Sequence, residues 1–178
     1  MAVKLELRGQ LEEIKFNEVK ARLSKESSKE WPDDREVAFF IIPNINLKVT
    51  KYLSKNTAKI VYKNALSSEV LAEELSIPIN PEDFEGTVRI FTELGYTNVQ
   101  RSNQKRTNYL YKDVIIALKY SEDWKYHFEI ERIIKPEERG DIVRDTMESI
   151  ATELGLIVMS SEEINNLIVK VNQEHHIN

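Results

Sequence analysis

Two short stretches near opposite ends of the chain share one pattern. In Lys4-Leu5-Glu6-Leu7-Arg8 and in His127-Phe128-Glu129-Ile130-Glu131-Arg132, charged residues alternate with large apolar ones. A strand sends successive side chains to opposite faces, so each stretch gathers its charges on one face and its apolar residues on the other. Further β-rich runs are Glu36 to Ile42, closed by Pro43-Asn44, then Asn46 to Lys51, and Thr57 to Lys63 after the turn-like Ser54-Lys55-Asn56. Glu73 to Ile79, Arg106 to Tyr111 and Val114 to Tyr120 complete the predicted strands.

Helical periodicity marks four segments. Gln10 to Ser24 places Leu11, Ile14, Val19 and Leu23 near a 3.6-residue period. Ser27 to Arg35, with Trp31-Pro32-Asp33-Asp34, reads as a loop. Asn80-Pro81-Glu82 opens the second helix with a cap residue, a proline and an acidic first turn. That helix carries Phe84, Val88, Phe91 and Leu94 and stops at Gly95. The third runs from Pro136 to Leu154, with Ile142, Val143, Met147, Ile150 and Leu154 inward, and ends at Gly155. The last begins at the capping box Ser160-Ser161-Glu162-Glu163 and carries Ile164, Leu167, Ile168 and Val171. Arg139-Gly140-Asp141 falls on helix surface, and His175-His176 on a frayed tail.

About eight strands and four helices, with the strands clustered, predict an antiparallel α+β fold. A doubly wound parallel sheet needs a helix between most strand pairs, and the order does not supply them. The five glycines stand singly and build no phosphate loop. At 178 residues the chain is expected to form a single domain spanning 1–178, able to bury roughly 70% of its unfolded surface. With no cysteine, disulfide and thiolate chemistry are excluded. The start has no apolar signal core and no stretch has the length of a membrane span, so the expected location is the cytoplasm and no membrane partner is expected. A net charge of −5 argues against general nucleic-acid binding while allowing a local basic site.

The strand faces then carry the question of function. Val3, Leu5 and Leu7 oppose Lys4, Glu6 and Arg8; Leu47 and Val49 oppose Lys48 and Thr50; Ala58, Ile60 and Tyr62 oppose Lys59, Val61 and Lys63. Leu75, Ile77 and Ile79 oppose Glu74, Ser76 and Pro78, and Phe128 and Ile130 oppose Glu129 and Glu131. The apolar faces suit burial under the helices. The charged faces point either to solvent on an open sheet, which the pattern alone favours, or into a closed barrel, where they need partners or a ligand.

The order of several motifs resembles the CYTH family, the triphosphate tunnel metalloenzymes that include class IV adenylyl cyclases and thiamine triphosphatases. The family's opening Glu-x-Glu-x-Lys strand is similar to Lys4-Leu5-Glu6-Leu7-Arg8, and its Leu-Arg-x-Arg strand to Leu47-Lys48-Val49-Thr50. Its next strand, ending in lysine, resembles Thr57 to Lys63. Leu94-Gly95-Tyr96, Lys105-Arg106-Thr107, Phe128-Glu129-Ile130-Glu131 and Leu154-Gly155-Leu156 follow in the family's order.

The resemblance implies an eight-stranded antiparallel β-tunnel, a barrel with amphipathic helices outside and charged residues facing inward. It also implies a triphosphate-containing or other polyanionic small molecule as the partner. Carried over by position, Arg8, Lys48, Lys59, Lys63, Glu74, Arg106 and Lys119 would contact substrate. Glu6, Glu129 and Glu131 would hold Mg²⁺ or Mn²⁺, whose preference is for carboxylate oxygen, and Glu129, Glu131 and Lys63 would serve catalysis.

The chain departs from the family at four places. Lys4 stands for the first glutamate, Thr50 for an arginine, and Lys119 for an aspartate before the final acidic strand; of Arg-x-Glu-x-Glu only Glu74 remains, in Ala72-Glu73-Glu74-Leu75-Ser76. The implied inner face then carries seven bases (Lys4, Arg8, Lys48, Lys59, Lys63, Arg106, Lys119) against four acids (Glu6, Glu74, Glu129, Glu131), a separation that favours anion capture. The expectation is a CYTH-like protein that binds a triphosphate or polyphosphate, with metal-dependent hydrolysis open and cyclisation of ATP disfavoured. The alternatives are a non-catalytic polyanion-binding module in which lysines replace metal ligands, and an open-sheet interaction protein. A homodimer is left open.

Overall fold

The computed structural model describes residues 3–43, 45–64 and 74–175. The side chains of Val3, Asn64, Glu74 and His175 lie outside that description, as do Asn44, Ala72, Glu73 and His176. Among the described residues are nine strands and four α-helices. The strand pairings are antiparallel, the α+β arrangement expected from the clustering of strands. The chain divides into two compact units, one of residues 1–32 and 106–168, the other of residues 33–105 and 169–178.

In the first unit, β1 (Val3–Gln10) is followed by α1 (Glu13–Glu26) and β2 (Lys29–Pro32). After the second unit come the later residues of β7 (Val99–Tyr111), then β8 (Val114–Ser121), β9 (Lys125–Ile134) and α3 (Gly140–Glu153). The strand order is β1-β9-β8-β7, with β2 also paired to β7. β2 corrects the expectation of a loop from Ser27 to Arg35: its backbone finds partners at Thr107 to Leu110, a long-range pairing invisible to local turn signals. The first helix begins at Glu13 rather than Gln10 because β1 continues through Gln10, opposite His127.

The apolar faces of these strands meet the helices in one core. Leu5 and Leu7 of β1, Tyr109 and Tyr111 of β7, Ile116 and Leu118 of β8, and Phe128 and Ile130 of β9 pack with Val19 and Leu23 of α1. From α3 come Val143, Met147, Ile150 and Ala151, with Leu154 just beyond its last turn. Ile14 and Ile142, expected inward from their spacing, are exposed. The third helix starts at Gly140 rather than Pro136, and Arg139 occupies its N-cap. Its end is as expected: Gly155 takes φ +66°, its N–H donates to Thr152 O, and the Leu156 N–H reaches Ala151 O. This paired closure requires the left-handed conformation glycine adopts without strain.

The chain then returns along β1, where the Met159 N–H donates to Arg8 O at 2.9 Å. Gly9 permits that approach, since a Cβ there would meet Ile157 O at 2.2 Å and the Phe128 ring at 2.7 Å. The last helix, α4 (Ser161–His175), opens on the predicted box: the Ser160 N–H donates to Glu163 Oε2 at 2.7 Å and the Glu163 N–H returns to Ser160 Oγ at 3.2 Å. The described helices include none long and apolar enough to cross a membrane.

In the second unit the order is β7-β3-β4-β5-β6, with β3 (Arg35–Ile42), β4 (Ile45–Tyr52), β5 (Thr57–Asn64) and β6 (Glu74–Ile79). A 3₁₀ turn over Pro81–Asp83 leads into α2 (Phe84–Glu93). Ala38, Phe40, Leu47 and Val49 form its core with Phe84 and Val88. Leu94, expected in that core, is exposed, as are Leu75 and Ile77 of β6. Strand β7 begins at Val99, seven residues before the predicted start, because a polar run from Gln100 to Gln104 pairs with β3.

Position in the core orders the cost of truncation. Met147→Ala should destabilise the protein by roughly 2–5 kcal/mol, the range for a fully buried large side chain. Ile142→Ala on the same helix, at an exposed position, should stay within about 0.5 kcal/mol. Chemical denaturation of the two variants checks the order; equal losses would contradict the assignment of faces on α3.

Candidate functional site

The charged faces of β1, β7, β8 and β9 come together in the first unit. The β1–β9 register sets Glu6 opposite Glu131 and Arg8 opposite Glu129. Glu129 in turn lies opposite Ala117 of β8, and Lys119 opposite His127. Alternation puts Lys119 on the same face as Ala117, and Arg106 and Asn108 on the face of β7 away from Tyr109 and Tyr111. These are not solvent-facing charges: Arg106 is 3% exposed, Lys119 6% and Glu129 9%.

Burial on this scale demands partners, because an unpaired ion inside a protein costs several kcal/mol. The Arg106 guanidinium spans two acids, donating to Glu129 Oε2 and to Glu131 Oε1, each at 2.9 Å, and its Nε donates to Asn108 Oδ1 at 2.7 Å. Lys119 Nζ donates to Glu129 Oε1 at 2.9 Å. Lys4 Nζ lies 2.9 Å from Glu131 Oε2 and 3.3 Å from Glu6 Oε2. Arg8 donates to Glu6 Oε1 and comes within 3.9 Å of Glu129 Oε1. Each of the six oxygens of Glu6, Glu129 and Glu131 therefore has a basic nitrogen beside it. Among the described residues joined by these contacts, four bases meet three acids, one positive charge in excess, within a chain of net charge −5.

The acid–base balance shifts each group in its own direction. Burial pushes the Glu129 carboxyl up, but Lys119, Arg8 and Arg106 outweigh it and hold the group well below the usual range. Burial also opposes ionisation of Glu131, which Lys4 and Arg106 bring below its ordinary value. Lys119 moves to about 8 because burial, with Arg106 and Arg8 as like charges, exceeds the attraction of Glu129. The Glu129–Lys119 contact thus favours the acid's charge more than the lysine's: Glu129 has three cations near it, and Lys119 has two like-charged neighbours. His127 is pushed down to about 4 by burial and by Lys119, so its imidazole is neutral at pH 7, and in that form Nδ1–H donates to the Lys125 carbonyl at 2.9 Å.

Of the residues expected from sequence, Glu6, Arg8, Arg106, Lys119, Glu129 and Glu131 are gathered here, together with Lys4. The three carboxylates expected to hold a metal each offer one oxygen within 4.8 Å of the others. Lys48, Lys59 and Lys63 lie on β4 and β5 of the second unit. Lys48 Nζ is 5.8 Å from the Phe39 ring centroid, and Lys59 Nζ is 5.8 Å from that of Tyr52, which Arg35 and Lys55 also approach. Glu74 stands opposite Lys63 in the backbone register. Asn108, Ser121 and His127, all buried on the charged faces of their strands, were not singled out from sequence. Each is two residues from a site residue that the family resemblance implied, so strand alternation counted from Arg106, Lys119 and Glu129 places them on the same faces.

Two measurements test this electrostatic arrangement. Replacing Arg106 with Met removes the bridge and leaves two carboxylates short of a partner, which should cost roughly 3–5 kcal/mol in denaturant unfolding. Lys119 should titrate near pH 8 when followed by NMR at its side-chain carbon. Its folded value lies below the ordinary 10.5, so between those values the unfolded chain binds more protons and the Lys119 contribution to stability rises with pH. A midpoint at 10 or above would contradict the burial of its ammonium.

Comparison with known proteins adds the family. The CYTH domain model matches residues 53–163, more than half of the chain. Among curated proteins none matches the sequence significantly. Among solved structures, a conserved hypothetical protein from Pyrococcus furiosus is similar, with a TM-score of 0.67 at 18% identity over 90% of this chain and 99% of that one. A Hippeastrum protein assigned as an adenylyl cyclase, and described as having a dominant triphosphatase activity, gives 0.62 at 16% identity over 89% and 90%. The RNA triphosphatase domain of a mimivirus mRNA capping enzyme gives 0.56 at 12% identity over 86% and 87%. At these identities the structural likeness speaks for the fold, and the motif match for membership: the chain belongs to the CYTH family.

Proposed function

We propose that this chain binds a triphosphate-containing or polyphosphate anion on the charged strand face of its first unit. The observation that carries the reading is the positive excess built there by Lys4, Arg8, Arg106 and Lys119 around three carboxylates, in a chain that is acidic as a whole. Triphosphate substrates are the family's ligand class, and tripolyphosphate is their simplest common part.

The chemistry suits an anion with several oxygens. Arg8 and Lys4 are the more exposed of the four bases, at 32% and 43% of their side chains. They are the groups an arriving phosphate oxygen would meet, Arg8 through a guanidinium fork and Lys4 as a point charge. Arg106 and Lys119 lie deeper and hold the carboxylates ionised and in place. Lys48, Lys59 and Lys63 are the further phosphate contacts that family membership supports, each to be tested by its own alanine variant. The same membership supports Glu129, Glu131 and Lys63 in turnover. ATP cyclisation has less support, since no feature of the site is dedicated to a nucleoside.

Thermal shift in the presence of EDTA tests the reading. Millimolar tripolyphosphate should raise the melting temperature by several degrees above a sodium chloride control of equal ionic strength. Arg8→Ala should lose at least half of that rise. No stabilisation of the wild-type chain at millimolar ligand, either in EDTA or with Mg²⁺, would remove the reading and leave a scaffold role for the sheet. Release of phosphate that disappears in Glu129→Gln would select hydrolysis over binding alone.

A further inference from the structure

We infer that Lys4 is the resident cation of this face, fixed between Glu6 and Glu131 so that the chain holds its anion without a divalent metal. The inference rests on reading the face as anion-binding, and it concerns what neutralises the acids there.

Glu6 and Glu131 are direct partners across β1 and β9. Like charges directly opposite one another on antiparallel strands repel at close range, so this pair needs a cation between its carboxylates. Lys4 comes from the same strand as Glu6 and sits diagonally across from Glu131. Its ammonium lies 3.3 Å from one carboxylate and 2.9 Å from the other. One cation thus bridges two acids from two strands, the service a divalent ion gives when two carboxylates chelate it.

The remaining oxygens are no more available. Arg8 holds the other oxygen of Glu6, Arg106 takes one from each of Glu129 and Glu131, and Lys119 takes the last of Glu129. Mg²⁺ and Mn²⁺ need carboxylate oxygens as direct ligands, and Mg²⁺ loses its own water reluctantly. A divalent ion entering this trio would have to share its oxygens with the bases already beside them, two of which are buried. It would also raise the local excess from one positive charge to three, against the repulsion of Arg106 and Lys119. The residues present therefore do not fit a resident metal: the acidic trio is already neutralised by groups of the chain itself.

Lys4 is the cation whose removal should reverse this. It is the most exposed of the four bases, and its loss uncovers one oxygen from each of the two opposed acids. Lys4→Glu goes further by adding a carboxylate beside them.

The test is a titration of Mn²⁺ alone into the full-length wild-type chain and its Lys4→Glu and Lys4→Ala variants, read by paramagnetic resonance of unbound Mn²⁺ and by melting temperature. The wild-type chain should show no saturable binding up to about 1 mM, a weak limit for a carboxylate site. Lys4→Glu should bind at least tenfold more tightly, with a melting temperature that Mn²⁺ raises. Lys4→Ala should fall between the two, and it decides the matter if the glutamate variant does not fold. Saturable wild-type binding below about 1 mM, or no gain in whichever variant folds, overturns the inference. Tripolyphosphate that stabilises the wild-type chain only with Mg²⁺ overturns it too, while leaving the anion reading intact. Tripolyphosphate without effect under either condition overturns the anion reading, and the Mn²⁺ comparison still decides the role of Lys4.

Discussion

The structure of the first unit depends on the cost of burying charge. Its sheet has two faces with opposite requirements. One is apolar and satisfied by α1 and α3 through non-directional burial, with Met147, Phe128 and Ile130 at its centre. The other is charged and yet, at Arg106, Lys119 and Glu129, withdrawn from water, and there every group needs a partner in the right place. The register of β1 against β9 meets this need, because it sets Arg8 against Glu129 and brings Lys4 diagonally to Glu131, between that acid and Glu6. A slip of one residue would exchange the two faces and put these charges into the apolar core.

Small residues stand at crowded places beside that strand pair. Ala117, opposite Glu129, leaves space for Lys119 to reach diagonally to the carboxylate. Gly9 lets the segment after α3 lie against the end of β1. The paired charges and the close backbone approach both act on β1, so this strand carries an apolar surface, an ionic surface and a pinned edge within eight residues.

Much of this was legible in the sequence, for different physical reasons. Strand alternation revealed the apolar faces of β1, β4 and β9, and glycines after Leu94 and Leu154 marked the ends of α2 and α3. The capping box at Ser160 was readable because its chemistry is local. Local signals failed where partners are distant: β2 forms on β7 from a stretch rich in turn residues, and Gln100 to Gln104 becomes strand by pairing with β3. Helical period alone also placed Ile14 and Ile142 inward, although the sheet beneath α1 and α3 covers only part of each helix. For the charges, alternation supplied the correct face and left its direction open, since a polar face suits water as well as ionic partners. The motif order favoured the inward choice, and the burial of Arg106, Lys119 and Glu129 agrees with it. No periodicity could reveal that four bases between them reach all six carboxylate oxygens.

That last feature bears on selectivity. Because the four bases are already engaged with carboxylates, a ligand of this face would gain the undivided charge of a base only by exchange, substituting its own oxygens for those of glutamates. An exchange of this kind yields little to a singly charged anion, whose gain hardly exceeds the contact it breaks. It rewards a ligand that carries several charges close together and can replace more than one carboxylate at once. The ion-pair network would therefore act as a threshold on charge density, set by the chain before any particular phosphate is recognised.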